Sequence, residues 1–254
     1  MTRNRSSRFC RGLLAALLWS LALPAVGFAQ GGSGFLFRRP TITIKFETGY
    51  GIHAASSELF DFTREQLTIG KRDFDGPYIG GEVAFRASER WDVALGVGLV
   101  QSSVDSELRD WVDLDDNPIE QVSDFRIVPI TLSTKYYFHD RGRSVGRFAW
   151  VPSRLTPYVG GGVGVVAYRF EQVGDFVDFD TLDIFFDRFV SQGEAVLFRG
   201  LAGVSISLGR QFELSGEARY TLASADVRSD FDEFDAGALD LNGFQGVVGI
   251  AIRF

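Results

Sequence analysis

The chain has 254 residues, of which 45% are hydrophobic, and it carries a formal net charge of −7. An acidic surface of this kind argues against nucleic acid as a partner. The 29 glycines and 24 phenylalanines, beside a single methionine, favour closely packed strands with aromatic anchors over a helical bundle.

The amino terminus has the pattern of a secretory signal. Four arginines precede an apolar run over residues 13–23, and the segment 27–29 ends in small residues suited to cleavage. The run is shorter than the roughly 20 residues that a spanning helix needs. The sequence therefore predicts a Sec-dependent signal peptide over residues 1–29, cleaved after Ala29, and one domain over residues 30–254. Cys10 leaves with the signal, so no disulfide or cysteine metal site is expected.

Eight segments of the mature chain alternate apolar and polar residues between turn signals, which predicts eight strands. They cover residues 41–53, 77–87, 91–103, 125–138, 157–172, 195–208, 211–224 and 241–254. Each has at least the 9 to 11 residues that a tilted membrane strand requires. Long connections follow the first, third, fifth and seventh strands, while the others are tight except for 139–156. Transmembrane barrels with both termini on the periplasmic side segregate their loops in this way.

Charge assigns the faces of these strands. A charged side chain at the bilayer midplane costs roughly 2 to 4 kcal/mol in barrel hosts, so the charged face must point into the lumen. The predicted lumen network consists of Lys45, Glu47, Glu82, Arg86, Asp92, Lys135, Arg199, Glu213, Glu217 and Arg219. Eight aromatic residues near strand ends are predicted to form two interfacial girdles: Tyr50, Tyr78, Trp91, Tyr136, Phe138, Tyr158, Tyr168 and Tyr220.

The last segment alternates to the end of the chain and finishes on Phe254. With the signal, the eight strands and the loop lengths, it resembles the OmpA/OmpX/OmpW-like superfamily of small outer-membrane β-barrels. The resemblance covers the mature chain and is architectural. It implies an all-β, eight-stranded antiparallel up-and-down transmembrane β-barrel in the bacterial outer membrane, in contact with lipid and lipopolysaccharide. It also implies that Phe254 belongs to the signal read by the barrel assembly machinery. The long inner turn 139–156 departs from the pattern.

The outer connections are rich in Asp and Glu, as in Asp113-Leu114-Asp115-Asp116-Asn117 and in residues 226–240. Two interpretations stay open: a solvated exterior, or a surface that holds divalent cations. Neither the first of these segments nor Asp230 to Gly237 has the spacing of a defined calcium loop, so no metal site is assigned. In the third connection, Leu182, Phe185, Phe186 and Phe189 follow a helical spacing after Thr181, which predicts a short amphipathic helix.

Catalysis has little support in this sequence. The two histidines, His53 and His139, fall at opposite ends of the predicted barrel, so they cannot share a triad or a metal ion. His53 could pair only with loop acids such as Glu58 or Asp61. The prediction is therefore no enzyme and no cofactor. It is an outer-membrane protein with a structural or surface-interaction role and a largely plugged lumen. The alternative is a narrow OmpW-like channel for small or hydrophobic molecules.

Overall fold

The computed structural model describes residues 34–113, 115–178, 181, 183–226 and 238–254. The predicted signal peptide with Ala29, and residues 227–237 of the fourth outer connection, lie outside the described residues. Among those described, no helix is both long and apolar enough to cross a membrane.

The described residues from Phe35 onwards belong to one compact unit. Its first elements are β1 (Ile42–His53), α1 (Glu58–Gln66), a 3-10 helix (Lys71–Phe74), β2 (Gly76–Arg86), β3 (Trp91–Val112) and β4 (Pro118–Tyr137). The remaining elements are β5 (Gly142–Val145), β6 (Ala149–Pro152), β7 (Leu155–Val177), β8 (Ile184–Ser207), β9 (Phe212–Asp226), β10 (Ala238–Asp240) and β11 (Gly243–Arg253).

Within the described residues, eight long strands form a closed antiparallel ring in the order β1-β2-β3-β4-β7-β8-β9-β11. The ring closes because β11 pairs with β1 in continuous register, from Thr43 opposite Arg253 to His53 opposite Gly243. Closure gives every strand two neighbours and removes the exposed edges that an open sheet would present. The predicted fold class, an eight-stranded up-and-down β-barrel, is confirmed.

Alternation along the strands separates an apolar outer face from a polar lumen. In β1, Phe46 is 69% exposed, whereas its neighbours Lys45 and Glu47 are only 5% and 7% exposed. The same outward apolar side chains recur around the ring: Ile44, Ile79, Phe85, Val93, Leu95, Val97, Ile130, Leu132, Val163, Val165, Val196, Phe198, Leu222, Val248 and Ile250. We call these residues and Phe46 the outer belt. Exposure of so much apolar surface suits contact with hydrocarbon rather than water.

The aromatic girdle prediction is only partly correct. Tyr50, Trp91, Phe138 and Tyr220 are exposed on the outer face. Tyr78, Tyr158 and Tyr168 instead point inward and are 2%, 2% and 3% exposed. The first two turn inward because their hydroxyls donate to lumen carboxylates, and the third packs in an apolar cluster inside the ring.

Four strands are much longer than predicted. β3, β4, β7 and β8 have 22, 20, 23 and 24 residues, about twice what a membrane crossing requires. The helix predicted after Thr181 is wrong, because residues from Ile184 onwards continue β8, with Phe185 paired opposite Phe176. The ring of Phe189 packs edge to face on that of Phe176, with 4.7 Å between centroids, so these aromatic residues pack between the paired strands of a hairpin. Leu182 lies outside the described residues.

Candidate functional site: the barrel lumen

Six charged side chains meet inside the barrel. We call them the central cluster: Lys45, Glu47, Glu82, Lys135, Glu217 and Arg219. They come from β1, β2, β4 and β9, and each is at most 7% exposed. Strands β4 and β9 are not neighbours in the ring, so contacts between them cross the lumen.

Lys135 is the bridge across the lumen. Its Nζ lies 2.7 Å from Glu82 Oε1 and 3.0 Å from Glu217 Oε2. Lys45 Nζ joins the same carboxylates and lies 3.3 Å from Glu47. Arg219 then pairs with Glu47 at 2.6 Å and with Glu217. The three cations and three carboxylates therefore balance.

Tyrosine hydroxyls fill the remaining hydrogen-bonding positions of this cluster. Tyr158 donates to Glu217 at 2.8 Å, and Tyr78 donates to Glu47 while accepting from Arg219, both at 3.1 Å. A buried ion pair compensates its desolvation cost only when such additional bonds are present. The sequence signal for these two tyrosines was their inward position in the two-residue alternation, which the girdle prediction overlooked.

Arg199 lies beside the central cluster, and its Nε donates to Thr221 at 3.1 Å. A cavity of about 10 Å³ lies between Arg199 and the central cluster. Its lining includes Arg199, Arg219, Glu47, Glu82 and Glu217. A void of this size holds about one water molecule. A ring of eight strands has an interior of about the width that side chains can fill.

The long inner turn folds across the mouth of the barrel that lies near Leu36 and Arg86. Its hairpin, β5 and β6, gains a third strand segment because Leu36 and Trp150 exchange backbone hydrogen bonds of 2.9 and 2.8 Å. Trp150 is 2% exposed, and the Arg86 guanidinium lies 5.5 Å from its ring centroid. Gly142 permits this packing, since a Cβ there would lie 2.3 Å from the indole. We call residues 141–152 the inner plug.

The inner plug also supplies a partner to the lumen. Arg141 pairs with Asp92, which accepts a second bond from the Tyr137 hydroxyl at 3.1 Å. Arg141 is not among the predicted lumen residues, yet its side chain is only 14% exposed. Long-range folding of the turn carries it inward, which local sequence does not reveal.

Arg86 and Glu213, the other two predicted lumen residues near the inner plug, have partners of their own. Arg86 pairs with Glu89 at 3.2 Å, and Glu213 accepts from the Nε of Arg253 at 2.8 Å. The structure therefore brings six of the ten predicted residues into the central cluster. Arg199 lies beside it, and the remaining three lie towards the inner plug.

The first outer connection folds into the opposite mouth. We call residues 54–75, which include α1 and the 3-10 helix, the outer lid. Phe60 and Phe74 are 0% and 3% exposed, and their ring centroids lie 4.6 Å apart. Phe60 meets Phe125 of β4 and Phe170 of β7 at 5.5 and 6.2 Å. The inner face of the long strands is therefore apolar near the outer lid and polar at the central cluster.

His53 belongs to the base of the outer lid. Its Nδ1 lies 2.9 Å from the Phe74 carbonyl oxygen, its backbone N–H donates to Asp75, and its ring packs against Phe125. Asp61, one of the acids considered as its partner, pairs instead with Arg64. These contacts give His53 a packing role. His139 is exposed in the inner turn.

Local hydrogen bonds stabilise one of the carboxylates in the acidic outer connections. Asp113 accepts from the backbone and side chain of Asn117 at 2.7 and 2.9 Å and from the Asp115 N–H at 2.8 Å. The bonds from Asn117 lower the pKa of the Asp113 carboxyl. Within the described parts of these connections, no three acidic or histidine side chains are grouped as metal ligands.

Comparison with known proteins finds solved structures with a similar fold. No family model matches this chain, and no curated protein matches it. The outer membrane protein OprG from Pseudomonas aeruginosa is 15% identical, with a TM-score of 0.46 over 86% of this chain and 99% of that chain. Neisserial surface protein A is 12% identical, with a TM-score of 0.45 over 84% and 97%. Ail of Yersinia pestis is 11% identical, with a TM-score of 0.40 over 88% and 100%. No function follows from similarities of this size.

The central cluster generates a stability prediction. Lys135→Met leaves Glu82 without its closest cation and removes one of the cations that contact Glu217, so the free energy of unfolding should fall by about 3 to 5 kcal/mol. Urea unfolding of the folded protein in detergent, followed by tryptophan fluorescence, measures this loss. Lys71→Met, at an exposed position of the outer lid, is the control and should stay within about 0.5 kcal/mol of wild type.

A double variant separates lost charge balance from lost packing. Lys135→Met leaves two cations against three carboxylates in the central cluster, and adding Glu82→Gln restores the balance, so the double variant should be more stable than Lys135→Met alone. Equal stability of wild type and Lys135→Met, or additive losses in the double variant, would contradict the ion-pair account.

Proposed function

We propose that this protein is an integral outer-membrane β-barrel that conducts nothing and serves a structural or surface-interaction role. The observation that carries the proposal is the central cluster, in which Lys135 joins carboxylates from opposite walls of the lumen. A path for solutes would have to separate these pairs, and breaking one buried pair costs several kcal/mol.

Two further layers support a closed lumen. The inner plug buries Trp150 at one mouth, and the outer lid buries Phe60 at the other. A narrow channel for small or hydrophobic molecules, the competing function, would need a route past both. Three layers thus close the barrel one after another: the apolar outer lid, the ionic central cluster, and the inner plug around Trp150.

The long strands support a surface role. Beyond the outer belt, the β3–β4 and β7–β8 hairpins continue for several residues on each strand, at about 3.3 Å per residue. On the β3–β4 hairpin the outward side chains become polar and acidic, as Asp105, Glu107 and Glu120 show. Rigid paired strands hold this surface away from the bilayer, where it is available to an external partner.

The orientation in the membrane follows from the same proposal. The β3–β4 and β7–β8 hairpins face outward, and the inner plug faces the periplasm, after Sec-dependent export and removal of residues 1–29. Phe254 directly follows the closing strand β11, is 59% exposed and accepts a backbone hydrogen bond from the Thr41 N–H at 2.7 Å. We assign it to recognition by the barrel assembly machinery, which would read the last strand before it pairs with β1.

Conductance tests the closed lumen. The purified wild-type barrel, inserted into planar lipid bilayers, should show no steady single-channel conductance, because the central cluster fills the lumen. Flotation with liposomes confirms insertion in the same preparation. Reproducible openings of one size would overturn the closed lumen and favour the channel.

Surface labelling tests the orientation. A short epitope inserted after Asp116, at the tip of the β3–β4 hairpin, should bind antibody on intact cells. The same epitope after Gly146, at the tip of the inner plug, should bind only after the outer membrane is permeabilised. Both sites have positive φ angles of 60° and 67°, so the two insertions are matched turn tips. Labelling at Gly146 on intact cells would contradict the assignment.

A further inference from the structure

A row of polar side chains crosses four strands on the outside of the barrel, just beyond the outer belt. The pairing register sets Gln101 of β3 opposite Arg126 of β4, Arg126 opposite Arg169 of β7, and Arg169 opposite Gln192 of β8. All four are half-exposed or exposed on the outer face. We call these four residues the arginine row.

The arginine row lies at the boundary between apolar and polar surface. The outward residues one step nearer the belt are Leu99, Val128, Ala167 and Glu194, and those beyond it include Asp124 and Glu171. The row is therefore the first level at which the three strands β3, β4 and β7 all present polar side chains to the outside. In a barrel inserted as proposed above, this is the level of the lipid headgroups of the outer leaflet.

The charges in this row are incompletely compensated. Like charges directly opposite each other destabilise a sheet, and Arg126 faces Arg169 across one strand pair. Arg169 pairs with Glu171 at 3.0 Å and shares that carboxylate with Arg188. Arg126 contacts only the amide oxygen of Gln101 at 3.4 Å, and no carboxylate of the described residues lies within 4.0 Å of its guanidinium.

An open cleft of about 280 Å³ lies over the two arginines. It is lined by Gln101, Asp124, Phe125, Arg126, Arg169 and Glu171. The carboxylates of Asp124 and Glu171 stand on the side away from the belt, and the arginines stand on the side towards it. An anion that enters from the bilayer therefore meets the guanidinium groups first.

We propose that this cleft binds the phosphate of an outer-leaflet lipid headgroup between Arg126 and Arg169. The planar guanidinium group matches phosphate oxygens with paired N–H donors, and the shared anion offsets the repulsion between the two arginines. The acyl chains of the lipid then lie along Val128 and, below it, along Ile130 and Val165 of the outer belt. This inference rests on the proposed membrane orientation and adds to it a defined lipid contact.

Lipid binding by paired variants tests the site. The probe is bis-phosphorylated lipid A, titrated into detergent-solubilised protein and counted as bound adducts by native mass spectrometry. Arg126→Gln/Arg169→Gln should weaken its binding by about tenfold or more, because both charge-assisted contacts are lost. Arg143→Gln/Arg147→Gln makes the same change in charge at the exposed inner plug and should leave binding within about twofold of wild type.

Two further probes identify the source of the phosphate. Dephosphorylated lipid A should bind wild type and the cleft variant equally weakly, and inorganic phosphate at the same concentration should not displace the lipid. Unchanged lipid binding in the cleft variant, equal losses in both double variants, or full competition by inorganic phosphate would overturn the inference. Liposome flotation of wild type keeps this result separate from the proposed function: insertion without arginine-dependent binding refutes the lipid site alone.

Discussion

Closure of the sheet is the constraint on which the rest of the structure depends. A bilayer offers no partner for unpaired backbone groups, so a strand protein can cross it only as a ring without edges. The continuous register of β1 with β11 meets that condition. A ring of eight strands then leaves an interior only wide enough for side chains, so every inward charge must find its partner within a few ångströms. Pairing of Lys45, Lys135 and Arg219 with three glutamates follows from that geometry.

The apolar face of the sheet changes sides along the barrel axis. At the level of the belt, outward residues such as Ile130 and Leu132 are apolar and the lumen is ionic. Further out, the outward residue is Arg126, whereas the inward neighbours Phe125 and Ile127 are buried against the outer lid. The same strand thus meets hydrocarbon on its outside and then water, and its apolar residues move to whichever side lacks water. The proposed lipid cleft lies where this change occurs.

Alternation and charge were sufficient to predict the eight strands and the inward side of residues such as Lys45 and Glu47, because both depend on a two-residue period and on the cost of charge in lipid. The partners of those residues were harder to predict. Arg141 reaches Asp92 only because the inner plug folds back, and Tyr78 and Tyr158 look like interfacial aromatics until the register is known. The helix expected near Phe185 failed because helical spacing and a strand hairpin accommodate the same aromatics.

Cross-linking of the first and last strands tests closure most directly. With Cys10→Ser, the pair Thr48→Cys and Val248→Cys places two cysteines directly opposite each other on the outer face, within about 4.5 to 5.5 Å between Cβ atoms. Thr48→Cys with Phe244→Cys is the control, since Phe244 lies opposite Ile52 instead. Mild oxidation of the folded protein should give an intramolecular disulfide in the first pair and little in the second. No disulfide in the first pair, or equal yields in both, would contradict a ring closed in this register.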